Sequence, residues 1–321
     1  MKNRIFFRAD ASFDIGYGHF IRSLALADML KDDFECVFFT CHPTSYQKQE
    51  INKTCSFVVL NESTHYEDFL SYLSGNEIVV LDNYFFTTEY QCQIKSKGCK
   101  LVCIDDMHDK HYVADLVINH ALHDASLFDV ESYTKLALGY QWALLRKPFF
   151  EGALKEKPMT VKKISICFGG SDDLNLTTSI IEKIIEQRPD VSITAIIGDA
   201  NNNKALITSP QINYLYNLSA QEVANVFTST DLSVVPTSSV CLESLACGTF
   251  VAAGTYCDNQ KQVYLEYLKN NLIFPLGDMT ICKAEKLNLD EIKSSFCTLN
   301  RLDFIKETPL RYVELFNKLI R

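Results

Sequence analysis

The sequence predicts an α/β protein made of two doubly wound parallel-sheet domains in tandem. Three observations predict it. Short β-branched and aromatic runs alternate with amphipathic stretches through the first half of the chain. The strand-like runs are apolar throughout, as strands covered on both faces must be. A polar segment, Glu151–Lys162, then interrupts the pattern, and the pattern restarts after it. The 321 residues suit two domains of roughly 150 residues each, divided as 1–150 and 151–321.

In the first domain, strands are expected at Arg4–Phe7, Glu35–Phe39, Ser56–Leu60, Glu77–Leu81, Lys100–Ile104 and Asp115–Ile118. Helices are expected at Phe20–Leu30, Tyr66–Leu73 and Glu89–Ser96. Thr64 and Glu67 are spaced as a capping box before the second of these. In the second domain, strands are expected at Lys163–Phe168, Val191–Ile197, Ile212–Leu215, Leu232–Val235 and Phe250–Ala253. Its helices are Leu174–Gln187, Ala220–Thr228, Val240–Cys247 and Lys261–Lys269, with Ser219 and Glu222 as a second capping box. The tail reads as helical, and Phe304–Ile320 is amphipathic enough to close the second domain. Two such domains place a ligand cleft at the carboxyl ends of their strands.

Composition narrows the function classes. Lys plus Arg number 31 and Asp plus Glu 40, a net charge of −9. That balance disfavours a nucleic-acid backbone or an anionic bilayer as partner. It still allows an anionic small molecule held by local amides. No apolar run reaches the ~18–20 residues of a membrane span, and the start is too polar for a secretory leader. A cytoplasmic protein is expected. The 12 cysteines are scattered, with no C-x-x-C pair. They read as small core residues, with no disulfide or zinc role.

Five stretches could carry chemistry. Gly16-Tyr17-Gly18-His19 follows the first strand and opens a helix, with Arg22 one turn further. The helix dipole there disfavours imidazolium, which suits His19 as a general base. The plainer alternative is a strand-to-helix turn with a capping-region histidine. Gly169-Gly170-Ser171 after the first strand of the second domain exposes amides to a phosphate, or is an ordinary turn. Ser238 and Ser239 cap a helix that carries Glu243. Together they can meet a diphosphate and a ribose diol, or simply stabilise a surface helix. Asn259-Gln260 opens another helix on the same edge. Asp82 and Tyr84, and likewise Asp105-Asp106, stand at strand ends. His108, His111, His120 and His123 form two H-x-x-H pairs near acidic residues. Their stretch does not read as one helix, so no metal site is expected. His42 and His65 read as solvated.

These stretches, with Arg8-Ala9-Asp10, Asp82-Asn83-Tyr84 and Gly139–Arg146, together resemble a known family. It is the UDP-sugar hydrolase family of pseudaminic acid biosynthesis (PseG), itself similar to the glycosyltransferase MurG. The order and spacing of the pieces cover most of the chain. The chain departs from the family at Asn83 and in a longer linker and tail. The resemblance implies a GT-B fold of two Rossmann-like domains and no cofactor. It implies hydrolysis of UDP-2,4-diacetamido-2,4,6-trideoxy-β-L-altropyranose, with His19 as base and Tyr84 beside the reacting sugar. It further implies substrate contacts from Gly16, Gly18, Arg22, Asp82, Arg146, Gly169, Gly170, Ser171, Ser238, Ser239, Glu243, Asn259 and Gln260. A MurG-like transferase with a non-water acceptor is the alternative.

Overall fold

The computed structural model describes residues 2–10, 17–151, 158, 160–170, 172–198 and 206–320. Gly16 and Ser171 lie outside the described residues. The chain divides into two units, Met1–Lys147 with Glu307–Arg321, and Pro148–Lys306.

Among the described residues the main sheet of the first unit has seven strands: β1 (Arg4–Ala9), β2 (Glu35–Cys41), β3 (Ser56–Leu60), β4 (Ile78–Asp82), β5 (Lys100–Ile104), β6 (Leu116–Asn119) and β7 (Lys135–Leu138). Their order is β3-β2-β1-β4-β5-β6-β7 and every pairing is parallel. The central strands are mostly apolar because both faces are covered, whereas the edge strand β3 is only partly buried. In β1, Ile5 and Phe7 enter one core with Phe20 and Leu24 of helix α1 (Gly18–Leu30). Phe6 enters the opposite core with Phe69 of α3 (His65–Ser71) and Ile94 of α4 (Thr88–Ser96). With both faces buried, these strands show no simple polar alternation.

Helix α2 (Ser45–Thr54) and strand β7 are additions to the sequence reading. Most of α2 is polar, and only Gln47 and Ile51 are buried, so it shows little apolar stripe. It is held instead by a capping box, Thr44 with Gln47. The box expected at Thr64 does not form: Thr64 makes no cap, and its hydroxyl donates to Asp68 at 2.9 Å.

Among the described residues the second unit has six strands, β8 (Lys163–Cys167), β9 (Ser192–Ile197), β10 (Ile212–Tyr216), β11 (Leu232–Pro236), β12 (Phe250–Thr255) and β13 (Phe274–Asp278). The order is β10-β9-β8-β11-β12-β13, again parallel. Helices α5 (Leu176–Gln187), α6 (Ala220–Ser229), α7 (Ser239–Ala246), α8 (Lys261–Lys269), α9 (Met279–Cys282) and α10 (Leu289–Ser295) complete it. The Ser219–Glu222 capping box forms as read. Strand β13 was masked in the sequence by Pro275 and Gly277.

The last helix, α11 (Thr308–Ile320), was expected to close the second domain. It packs on the first. Its apolar stripe, Tyr312, Phe316 and Leu319, fills the core beside α1. The Tyr312 hydroxyl donates to the Trp142 carbonyl at 2.6 Å, and Thr308 to that of Gln141 at 3.1 Å. Among the described residues no helix is long and apolar enough to cross a membrane. Cys36, Cys99, Cys103, Cys167, Cys241 and Cys247 are buried, as core residues of small volume.

Candidate functional site

In the first unit, the carboxyl ends of β1, β4 and β5 and the start of α1 bring one charged cluster together. Asp82 is the last residue of β4, and its side chain is wholly buried. It accepts from His19 Nδ1 at 2.7 Å, from Arg22 Nε at 2.7 Å and Nη2 at 2.6 Å, and from Ser23 Oγ at 2.9 Å. A carboxylate with four donors has no lone pair left for substrate. Asp82 was read as a substrate contact; here it is the anchor beneath His19. Arg22 also donates from Nη1 to Asp106 at 2.9 Å, so three of its five N–H groups are engaged by carboxylates inside the protein. Burial works against the Arg22 charge. Asp82 and Asp106 outweigh it and hold the guanidinium protonated far above its ordinary range.

The contact with Asp82 fixes the His19 tautomer. A carboxylate can only accept, so the proton at this contact sits on Nδ1. Arg22 Nη2 lies 3.0 Å from the same nitrogen as a neighbour, with no lone pair there to receive it. Nε2 therefore carries the free lone pair, and it has no partner among the described residues. The ring of Tyr84 stands edge-on to His19, centroids 4.5 Å apart. Its hydroxyl donates to Asp106 at 3.1 Å, and half of the residue is exposed. Burial, reinforced by Asp106, pushes its phenol up to about 12, so it remains a donor across the neutral range. Asp106 itself is held below its ordinary range: burial raises it, but Arg22 wins. A cavity of about 20 Å³ touches His19, Arg22, Asn83, Tyr84 and Asp106, room for one water.

Asp105 belongs to a turn. It accepts from Tyr112 at 2.5 Å and from the amides of Met107 and His108. Nor is His65 solvated: it receives Arg8 Nη2 at 3.0 Å, and Arg8 is completely buried beside Asp10. Tyr46, on α2, reaches Tyr17 edge-on at 6.2 Å and feels the charge of Arg146. Sequence reading had passed over Tyr46 because its helix was invisible.

In the second unit, Gly169 and Gly170 follow β8, and Gly169 has φ +80°. A Cβ on Gly170 would meet nothing within 4 Å. Asp172 closes the turn by accepting the amides of Leu176 and Thr177, both at 2.8 Å. Gly198, at the end of β9, is required by this turn: its Cβ would lie 2.2 Å from the Gly169 carbonyl. Ser238 and Ser239 open α7 without a side-chain cap, which leaves amides toward the strand ends. Glu243 is buried, and its charge acts on Cys167 at the end of β8. Thr237 fixes the loop through two bonds to the Gly254 carbonyl. Gln260 accepts the Tyr256 amide at 3.0 Å, and Asn259 precedes it in a turn of 3-10 helix. These residues share the carboxyl edge at which β8 and β11 part, the switch point of a doubly wound sheet. Among the described residues no three His, Cys, Asp or Glu side chains converge as a metal site.

No family model matches the sequence. The chain is 26% identical over 275 residues to the UDP-2,4-diacetamido-2,4,6-trideoxy-β-L-altropyranose hydrolase of Campylobacter jejuni, covering 80% of this chain and 93% of that one. It is 27% identical over 312 residues to an uncharacterized protein of Methanocaldococcus jannaschii, covering 89% of this chain. It spans only 63% of that relative's length. Among solved structures, Acinetobacter baumannii MurG aligns with a TM-score of 0.56 at 12% identity, over 98% of this chain and 95% of that chain. The glycotransferase of kitacinnamycin aligns at 0.60 with 11% identity, over 99% and 95%. Arabidopsis thaliana UGT89C1 aligns at 0.61 with 8% identity, over the whole of both chains. The fold is GT-B. The similarity to the altropyranose hydrolase extends over four-fifths of the chain.

Proposed function

We propose that this chain is a UDP-sugar enzyme that hydrolyses UDP-2,4-diacetamido-2,4,6-trideoxy-β-L-altropyranose to UDP and the free sugar, in pseudaminic acid biosynthesis. One observation carries the reading. The bond from His19 Nδ1 to the buried Asp82 leaves Nε2 as a base. Water attacks the anomeric carbon on the face opposite UDP. Its proton passes to Nε2, the new C–O bond forms, and the bond to the diphosphate breaks. UDP leaves with the electron pair, and the configuration inverts.

A glycosidase needs a second carboxyl group as acid because a sugar alkoxide leaves poorly. A nucleoside diphosphate is already a stable anion, so amide donors suffice. In this reading Gly169-Gly170 and Ser238-Ser239 hold the diphosphate and Glu243 the ribose diol. No cofactor is called for. The MurG-like neighbour keeps a glycosyltransferase as the second reading. Release of UDP from the sugar nucleotide, with NMR of the first-formed anomer, tests the proposal. Inverted free sugar is expected without any added acceptor. UDP release only when an alcohol acceptor is supplied would establish the transferase instead.

A further inference from the structure

We infer that His120 presents a neutral N–H donor to an uncharged oxygen on the sugar, a specificity contact that rests on the hydrolase reading above. His120 directly follows β6, the strand beside β5. The Asp105 amide donates to the Ile118 carbonyl at 2.9 Å, which holds the two strand ends side by side. His120 thus stands next to Asp106 on the edge that carries His19. The charges of Arg22, Asp106 and Asp82 all act on its ring.

The tautomer follows from one bond. The Leu144 amide donates to His120 Nδ1 at 3.3 Å, so Nδ1 is the acceptor and the proton sits on Nε2. Among the described residues Nε2 has no acceptor. Burial, with Arg22 adding to it, lowers the imidazole to about 4, so the ring stays uncharged at neutral pH. The mount is rigid: Asn119 Oδ1 accepts the amides of Ala121 and Leu122 at 2.9 and 2.8 Å. Asn119 Nδ2 is a buried donor without a partner at the same strand end, while His120 itself is half-buried. A buried donor such as Asn119 Nδ2 is costly to leave unpaired, and a ligand oxygen at this edge would pair it. A neutral donor suits a neutral acceptor. The acetamido carbonyls of the proposed substrate are of that class, whereas the diphosphate is matched by the second unit's amides. A site built around such a bond rejects sugars that lack the oxygen.

Two substitutions separate this role from a structural one. His120→Asn keeps an acceptor for Leu144 but places no donor where Nε2 was. His120→Gln places an amide there but leaves the Leu144 amide unpaired. The measurements are UDP release and calorimetric affinity for the UDP-linked diacetamido-trideoxy sugar, with Tm alongside. We expect His120→Asn to keep the wild-type Tm and to lose about 10- to 100-fold in kcat/KM and affinity. His120→Gln should recover most of that loss despite a lower Tm. Wild-type affinity in His120→Asn, or a deeper loss in His120→Gln, would overturn the inference and leave the hydrolase reading standing. If the wild type binds the sugar nucleotide without releasing UDP, the hydrolase reading falls and the affinities still decide His120. If it does neither, both fall.

Discussion

At the scale of single residues, the first unit's edge is organised by who accepts from whom. Asp82 is saturated, so its contribution runs through His19 and Arg22. Asp82→Asn removes the charge that balances a buried guanidinium, and should cost about 3–5 kcal/mol of stability. Urea unfolding measures it, and a Tm equal to wild type would contradict the anchor role. His19→Asn leaves that anchor with its other three donors. It should fold normally and lower kcat by roughly 10²–10⁴, checked by UDP release at saturating substrate. Glu243→Ala should mainly raise KM, because ribose contacts are alike in ground and transition states. His120 also sets a pH dependence. Its folded value, near 4, lies below the ordinary 6.5. Below 6.5 the unfolded chain therefore binds a proton that the native protein refuses. Stability falls as pH drops from 6.5 to 4, by up to about 3 kcal/mol, and no further below that. Unfolding curves at stepped pH should show this slope in the wild type and a flatter one in His120→Gln.

At the scale of elements, caps and glycines decide what local sequence can reveal. Ser219→Ala removes a formed capping box and should cost about 1 kcal/mol. Thr64→Ala, where no cap exists, should cost clearly less by the same urea titration. The two motifs have the same spacing, and the backbone of the cap residue tells them apart: Ser219 is extended and Thr64 is not. Central strands were legible because parallel strands buried on both faces are mostly apolar. Helix α2 was not, because it buries only Gln47 and Ile51. The glycine turn before His19 was legible as a place for a base. Its partner was not, since Asp82 lies 63 residues away and a strand end does not say whom it faces. Gly198 escaped for a related reason: its need is set by the Gly169 carbonyl across the sheet. Gly198→Ala should displace the Gly169-Gly170 turn and weaken UDP binding in a calorimetric titration. Gly170→Ala, with open space at its Cβ, should leave Tm unchanged and still weaken UDP binding if the diphosphate lies against that backbone.

At the scale of the whole molecule, the two sheets are separate parallel structures, each with its own core, and α11 returns to the first. Tyr312→Phe would leave the Trp142 carbonyl unpaired in that core, at a cost of roughly 1–3 kcal/mol. Two-probe unfolding, by the fluorescence of Trp142 and by circular dichroism, should show the first unit melting earlier and the second unchanged. A single coincident shift would show that the units unfold together.

The return of α11 has a consequence for birth on the ribosome. The central unit, Pro148–Lys306, is contiguous and can condense as soon as it clears the exit tunnel. The flanking unit must wait, with the α1 side of its sheet uncovered, until residues 308–320 emerge. The half that bears His19 begins translation first and is finished last, so messages cut short before this helix would yield an intact second half beside an unfinished first.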